Sequence, residues 1–431
     1  MSSKLAAHGG PRTIPDGMNK PWPHITDADR QAVMEVLAGE DLSKQRELQS
    51  QGLAKEFAEY LGVAYAIPCN SGTAALHLAV AGVGVEPGDE VICPAFTYWA
   101  TAAAVLHHNG IPVFVDVEPD TWTLDPARIE ERITDRTKAL LPVHIHGMPA
   151  DMDLIIAIAK KHDLYVLEDC AQSHGATYKG GRCGALGDAA GFSSQASKLL
   201  TTGSYGGLFA TNDDTIAERA RLLQYLGEIV VPGRERQTQQ YNAYGLGWMY
   251  RGDVMGQAFI RSQLKRLDAN NALRAANCEL LTELLSGLPG IITPTVPEER
   301  GMVWYTYTIR FDPKAVGLDI TPPEFRERAQ KALQADGVPV GRWQTIPVPG
   351  QRIFQTKVGY GKGCPWTCSH ATHEVSYDLA DYPVAQEFVD TQLYVFGVNP
   401  PNGPDLMRKF AAAFEKLMSQ PEELLKIEMP G

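Results

Sequence analysis

One lysine, Lys198, stands in the run FSSQASKLLTTGSYGG (192–207), among small hydroxyl residues and glycines. Three chemistries could use it there: a solvated surface charge, a phosphate clamp, or a covalent nucleophile. The phosphate clamp of a P-loop requires GxxxxGK[ST], and the glycines here follow the lysine instead. A lysine held among uncharged residues can shed its proton and attack a carbonyl. Whether Lys198 is such a nucleophile depends on what else could share a site with it.

Three other stretches offer partners. In CNSGTAALHLAVAGVG (69–84), Ser71, Gly72 and Thr73 sit where a loop turns into a helix. Free amides and the helix dipole favour an anion at such a point, although a plain N-cap would use the same residues. In PAFTYWAT (94–101), three aromatics follow a strand-like run, and a ring there could form a platform or pack into the core. In LYVLEDCAQSHG (164–175), an apolar strand ends in Glu168 and Asp169. Neighbouring strand residues point to opposite faces, so one carboxylate of the two can serve a given site. A buried carboxylate there calls for a cation or hydrogen-bond donors, and Gln172 and His174 follow closely enough to reach the same ligand. Ser193 and Ser194 close a short strand just before the lysine, which lies 29 positions after Asp169.

In order, these are a phosphate cup, a ring platform, a carboxylate for a ring nitrogen, and a lysine. Together they are the parts needed to hold pyridoxal 5′-phosphate (PLP), whose ring acts as an electron sink once its nitrogen is protonated and its aldehyde is joined to a lysine as a Schiff base.

Such a constellation needs a scaffold that delivers strand ends and helix starts to one place. The chain alternates between short β-branched or apolar runs (EVICPAF, IPVFVDV, KALLPVHI, LYVLEDC) and helix-like segments at Tyr98–His108, Asp125–Thr134 and Asp151–His162. That alternation predicts βαβ units on a largely parallel sheet, with ligands at the strands' carboxyl ends. Further helices are expected over Ser43–Leu61, Asp213–Leu226, Asp253–Ala275 and Asp405–Met418. GGLFAT reads as a strand, and WYTYTIRF as an antiparallel one. The reading is an α/β chain with an N-terminal arm (1–30), a large domain (31–285) and a smaller α+β domain (286–431).

At 431 residues the chain is long enough for two or three cores. Its 39 basic and 51 acidic residues give a net charge of −12 with no long basic run, which argues against a nucleic-acid or anionic-membrane partner. No apolar run reaches the roughly 18 residues of a membrane span, and the start of the chain lacks a signal-peptide core, so a cytoplasmic protein is expected. The seven cysteines are odd in number and scattered, which reads as buried thiols rather than disulfides. Cys364, Cys368, His370 and His373 in CPWTCSHATH could form a metal-ligand set. All four fall within ten residues, however, and zinc sites usually pair two separated clusters; the reading taken is a loop and no metal.

With those residues in hand, the chain resembles the fold-type I PLP enzymes of the DegT/StrS type, the sugar and cyclitol aminotransferases. The resemblance runs from about Trp22 to the last helix on SGTAAL, PAFTY, PVHIHG, EDCAQSHGA and S-x-Q-x-x-K. It implies phosphate binding by Ser71, Gly72, Thr73 and Ser193, ring stacking by Tyr98, a ring-nitrogen contact from Asp169, a ring-oxygen contact from Gln172, and the Schiff-base role for Lys198. It also implies a homodimer with sites at the interface. The N-terminal segment LAAHGGPRTIPDGMNKPWP is similar to that of the scyllo-inosose aminotransferase and 3-amino-5-hydroxybenzoate synthase branch. That branch implies a keto-cyclitol or keto-sugar substrate, with glutamine or glutamate as amino donor.

Two departures stand out. GSYGG replaces the family's GEGG after the lysine, and Met249 in GWMYR takes the place of an asparagine that reaches a neighbouring subunit's phosphate. A thioether is a weak acceptor and no donor, so Tyr250, Arg251 or another residue would have to compensate. Arg342 and Trp343 in GRWQTIP are candidate substrate contacts, with a structural ion pair as the competing reading. Besides an aminotransferase, the residues admit a PLP-dependent lyase or aromatising enzyme, or a non-catalytic homologue.

Overall fold

The computed structural model describes residues 4–228 and 242–429; residues 1–3 of the expected arm and 430–431 of the expected C-terminal domain lie outside it. Seven strands form the central sheet: β1 (Tyr65–Cys69), β2 (Glu90–Pro94), β3 (Ile111–Val115), β4 (Thr137–Leu140), β5 (Tyr165–Asp169), β6 (Ala189–Ser193) and β7 (Gly207–Thr211). Their order is β1-β7-β6-β5-β4-β2-β3. Pairs from β6 to β3 are parallel, and β7 runs antiparallel to both β6 and β1.

Both edge strands carry a proline, Pro68 in β1 and Pro112 in β3. Proline cannot donate to a ladder and is tolerated where one side of the strand has no neighbour. In β2, β3 and β7 every residue is buried, because helices cover both faces of the sheet. The helix Gly72–Gly82 is the most enclosed of these, rich in Ala and Leu and capped by Ser71, whose Oγ accepts from the Ala74 amide.

A second, four-stranded antiparallel sheet follows, formed by β8 (Ile291–Ile292), β9 (Tyr307–Phe311), β10 (Val340–Gly341) and β11 (Gln392–Val395) in the order β8-β9-β11-β10. The helices Pro322–Asp336 and Pro404–Met418 share an apolar core with it. Leu5 and Ile14 of the N-terminal arm join that core. Val348, Phe354, Tyr377 and Phe388 pack instead into the core of the seven-stranded sheet, around Phe114 and Phe96.

Two helix expectations are revised. Over Asp125–Thr134 the chain forms two short 3-10 turns, Pro126–Arg128 and Glu130–Arg132. Asp125 caps the first through the Ala127 amide, and Ile133 swings extended to feed β4 within a few residues. Over Asp253–Ala275 two helices occur, Val254–Leu264 and Leu267–Leu285. They part at Arg266, whose guanidinium turns to the buried Asp29 with contacts of 2.9 and 2.6 Å.

The cysteine reading is corrected at one pair. Cys364 and Cys368 are joined as a disulfide, while Cys69, Cys93, Cys170, Cys183 and Cys278 are buried free thiols. Spacing alone did not reveal the bridge; a turn through Pro365 brings the two Cα atoms to 5.4 Å. His373 of the same loop faces Glu90 and Asp135 at 3.6 and 3.3 Å. Among the described residues, no helix is long and apolar enough to cross a membrane.

Candidate active site

The carboxyl ends of β5 and β6 and the start of the helix Gly72–Gly82 meet at one point. Gly72 presses so closely on β6 that an added Cβ would lie 2.5 Å from the Ser193 Cβ. Gly207, paired with Ser193 across the sheet, has the same constraint: its Cβ would sit 2.2 Å from the Ser71 carbonyl oxygen. Only glycine permits this approach, which sets the hydroxyls of Ser71, Thr73 and Ser193 around the helix N-terminus. Among the described residues the Gly72 and Thr73 amides have no acceptor. Unpaired amides, hydroxyls and the positive end of a helix make an anion cup.

The two carboxylates at the end of β5 diverge, as strand alternation requires. Glu168 turns away from the cup and is saturated, accepting from the Gly184, Leu186 and Gly187 amides at 2.7–2.8 Å and from His144 Nε2 at 3.0 Å. The Ala150 amide donates to His144 Nδ1, which assigns the ring proton to Nε2. Asp169 turns toward the cup. Its Oδ2 accepts from the Thr101 hydroxyl at 2.7 Å and its Oδ1 from the Ala171 amide at 3.0 Å. Burial raises the Asp169 pKa; Thr101, the Ala171 amide and Lys198 oppose the rise. Among the described residues no cation pairs directly with it. Gln172 accepts from the His146 amide at 2.8 Å, which leaves its NH2 group for a ligand. His174 is buried, with both ring nitrogens unpartnered among the described residues, and burial pushes its pKa down to about 3.

Lys198 enters from the loop after β6. Its amide donates to the Gln195 carbonyl at 2.8 Å, and its Nζ lies 4.3 Å from the centre of the Tyr305 ring. GSYGG forms the adjoining wall. Gly206 accepts from the Ser194 amide and Ser204 from the Ala196 amide, so the loop folds back on the lysine segment and leaves Tyr205 exposed.

The three aromatics of PAFTYWAT divide between site and core. Phe96 is buried against Phe388, Trp99 packs at the edge of the core, and Tyr98 is 56% exposed. Tyr98 meets Trp343 edge to face at 5.8 Å. Arg342 leaves the site and pairs with Glu327 at 2.8 Å, as the structural reading of that arginine expects. Met249 is half exposed, and its carbonyl accepts from the side chain of Asn70, the residue before Ser71, at 3.1 Å. Tyr250 is tied to His77 at 3.0 Å, and Arg251 stacks on the Tyr225 ring.

Ser71, Gly72, Thr73, Tyr98, Asp169, Gln172, Ser193 and Lys198 all line one cavity of about 770 Å3. The cavity accommodates PLP in kind: an anion cup, a buried carboxylate lacking its cation, an aromatic face and a lysine. Thr101, Tyr305 and Trp22 also line it and were not singled out from sequence. For Thr101 a signal existed, since it is a hydroxyl residue in the first helical turn, three positions after Tyr98.

The sequence profile of the DegT/DnrJ/EryC1/StrS aminotransferase family matches residues 23–386. The chain is 36% identical over 78% of its length to a putative L-glutamine:3-amino-2,3-dideoxy-scyllo-inosose aminotransferase of Streptoalloteichus tenebrarius, covering 79% of that protein. It is 33% identical over 98% of its length to the L-glutamine:2-deoxy-scyllo-inosose aminotransferase of Streptomyces lividus, covering all of it. Among solved structures, it superposes on DesV of S. venezuelae, crystallised with a ketimine intermediate, with a TM-score of 0.75 and 32% identity over 90% of this chain and 97% of that one.

Proposed function

The chain belongs to the DegT/DnrJ/EryC1/StrS aminotransferase family and is a PLP-dependent aminotransferase, and from that premise we propose that it aminates a ketone on a free cyclitol or sugar, with L-glutamine or L-glutamate as donor. The observation that carries the reading is the convergence of the eight residues on one cavity. The names of the relatives support the substrate class. So does the cavity wall, where the rings of Tyr98, Tyr305 and Trp343 alternate with side-chain amides suited to hydroxyl groups.

PLP, when bound, supplies the electron sink that stabilises negative charge at the carbon exchanging its proton. The chain's residues supply the rest. Ser71, Gly72, Thr73 and Ser193 would hold the phosphate at the helix N-terminus. Asp169, buried, would hold a proton on the ring nitrogen; Thr101 and the Ala171 amide keep that carboxylate oriented. The NH2 group of Gln172 would serve the ring oxygen, and Tyr98 would cover the ring. Lys198 Nζ would anchor the cofactor and serve as the base at the substrate carbon that exchanges its proton. We further place the arm at 1–30, the cofactor-binding domain at 31–285 and a smaller domain at 286–431. The protein is proposed to work as a cytoplasmic homodimer.

The test is a panel of amino donors and ketones, read as the absorbance change between the PLP and pyridoxamine phosphate (PMP) forms. Glutamine or glutamate should convert the enzyme to the PMP form and a keto-cyclitol should return it, with a 2-oxoacid as coproduct. Lys198→Ala should abolish both half-reactions. Loss of water from a substrate without donor turnover would remove the amination reading.

A further inference from the structure

The N-terminal arm reaches the lysine from the far side of the sequence. Trp22 Nε1 donates to the Lys198 carbonyl oxygen at 3.0 Å, across 176 positions. We propose that Trp22 is a positioning residue for Lys198, fixing the peptide that carries the reactive amine; this rests on the reading that Lys198 takes the cofactor. The covalent event concerned is the joining of the cofactor's aldehyde carbon to Nζ, one C=N bond formed and one water released.

The lysine's backbone has two polar restraints. Its amide is held within its own loop by Gln195, a contact that would survive if the whole loop tilted. Its carbonyl is held by Trp22 alone among the described residues, and so by a group outside the loop. Beyond the backbone, the long side chain is guided by the Tyr305 ring, whose hydroxyl is tied to Ser197 at 3.1 Å. A flexible four-methylene stem delivers its amine to one place only if its base is fixed.

The indole is itself fixed. Asn402 clamps the residues just before it, accepting from the Lys20 amide at 2.8 Å and donating to Asn19 Oδ1 and the Lys20 carbonyl at 3.0 Å each. The fully buried Arg274 lies 5.3 Å from the indole centre. Its Nε donates to Asn399 and its Nη1 to Asn271, while Nη2 has no partner among the described residues. A poorly neutralised buried cation favours an aromatic face beside it, which keeps the ring and its N–H in place. The arm is thus braced against the C-terminal segment on one side and against Lys198 on the other.

The test compares PLP with PMP on the cofactor-free full-length protein. PMP has no aldehyde and cannot join Lys198, so it reports the pocket without the link. Trp22→Phe keeps the ring and removes the donor. It should weaken PLP binding, and slow borohydride-trapped labelling of Lys198, by about threefold to tenfold, the effect of one hydrogen bond. PMP affinity should stay within about twofold, which also shows that the variant is folded. Thr13→Val loosens the arm elsewhere, by removing a 2.6 Å hydrogen bond to Asp336, and should leave both ligands unaffected. Parallel losses of PLP and PMP, an equal effect in Thr13→Val, or no change in Trp22→Phe would each overturn the inference. Absence of any Lys198 adduct in the wild-type protein would instead overturn the assignment of Lys198, and this inference with it.

Discussion

The hydroxyl of Thr101 donates to Asp169 at 2.7 Å, joining the first turn of the helix Ala100–His107 to the end of β5 across 68 positions. Thr97 lies 2.8 Å from the same hydroxyl and extends the chain of polar contacts away from the carboxylate. Thr101→Val keeps the shape and removes the donor, so the carboxyl, already raised by burial, rises further and holds its charge less well. PLP affinity should fall about tenfold, measured by titrating the cofactor-free protein. An unchanged affinity would mean that the Ala171 amide is sufficient.

Asp169 also makes a prediction about pH. Its folded pKa lies above the ordinary 3.8, because burial outweighs the donors around it. Between 3.8 and the raised value the folded protein holds more protons than the unfolded chain. Asp169 therefore contributes a loss of cofactor-free stability as pH rises through that window. Asp169→Asn should remove this contribution. Thermal melting of both proteins across the acidic range decides it, with matching slopes as the contrary result.

Gly72→Ala forces a Cβ to within 2.5 Å of Ser193. The helix start and the end of β6 must separate, at a cost of about 1–3 kcal/mol by denaturant unfolding. The anion cup should widen with them, so inorganic phosphate would compete less effectively for the variant than for wild type.

Trp343 and Arg342 are neighbours in sequence with separate consequences. Trp343→Ala removes a ring from the cavity wall and should raise the ketone KM about tenfold while PLP affinity is kept. Arg342→Ala breaks a partly exposed ion pair with Glu327, which should change stability by no more than about 1 kcal/mol and leave steady-state kinetics alone.

Much of the scaffold could be read from local pattern, because strands buried on both faces and Ala-rich helices write their environment into consecutive residues. In the larger sheet β1 was overlooked, since Pro68 interrupts its signal, and in the smaller sheet only β9 was read; the edge position of β1 is what makes its proline tolerable. The antiparallel entry of β7 was equally hidden, because pairing direction belongs to the connection and not to the strand. At the site, Ser71, Asp169 and Lys198 stood out since each needs an unusual environment to exist where it does. Thr101 and Trp22 did not, as their meaning lies in partners 68 and 176 positions away that only the fold selects. The helix break at Arg266 has the same origin, in a carboxylate 237 positions distant.

The segment 348–389 leaves the smaller sheet and packs into the core of the larger one before returning as β11. Just before this segment Gln344, the residue after Trp343, donates to the carbonyl of Thr97, the residue before Tyr98, and at its start the Val348 amide donates to the Ala95 carbonyl. Trp343 packs against the core that holds Phe114, Phe354 and Tyr377, and Tyr98 leans on Trp343, so both rings of this cavity wall are tied to that core. In this architecture the spacing of two rings on the cavity wall is set by packing that lies behind it. Selectivity can then drift through changes no ligand ever touches.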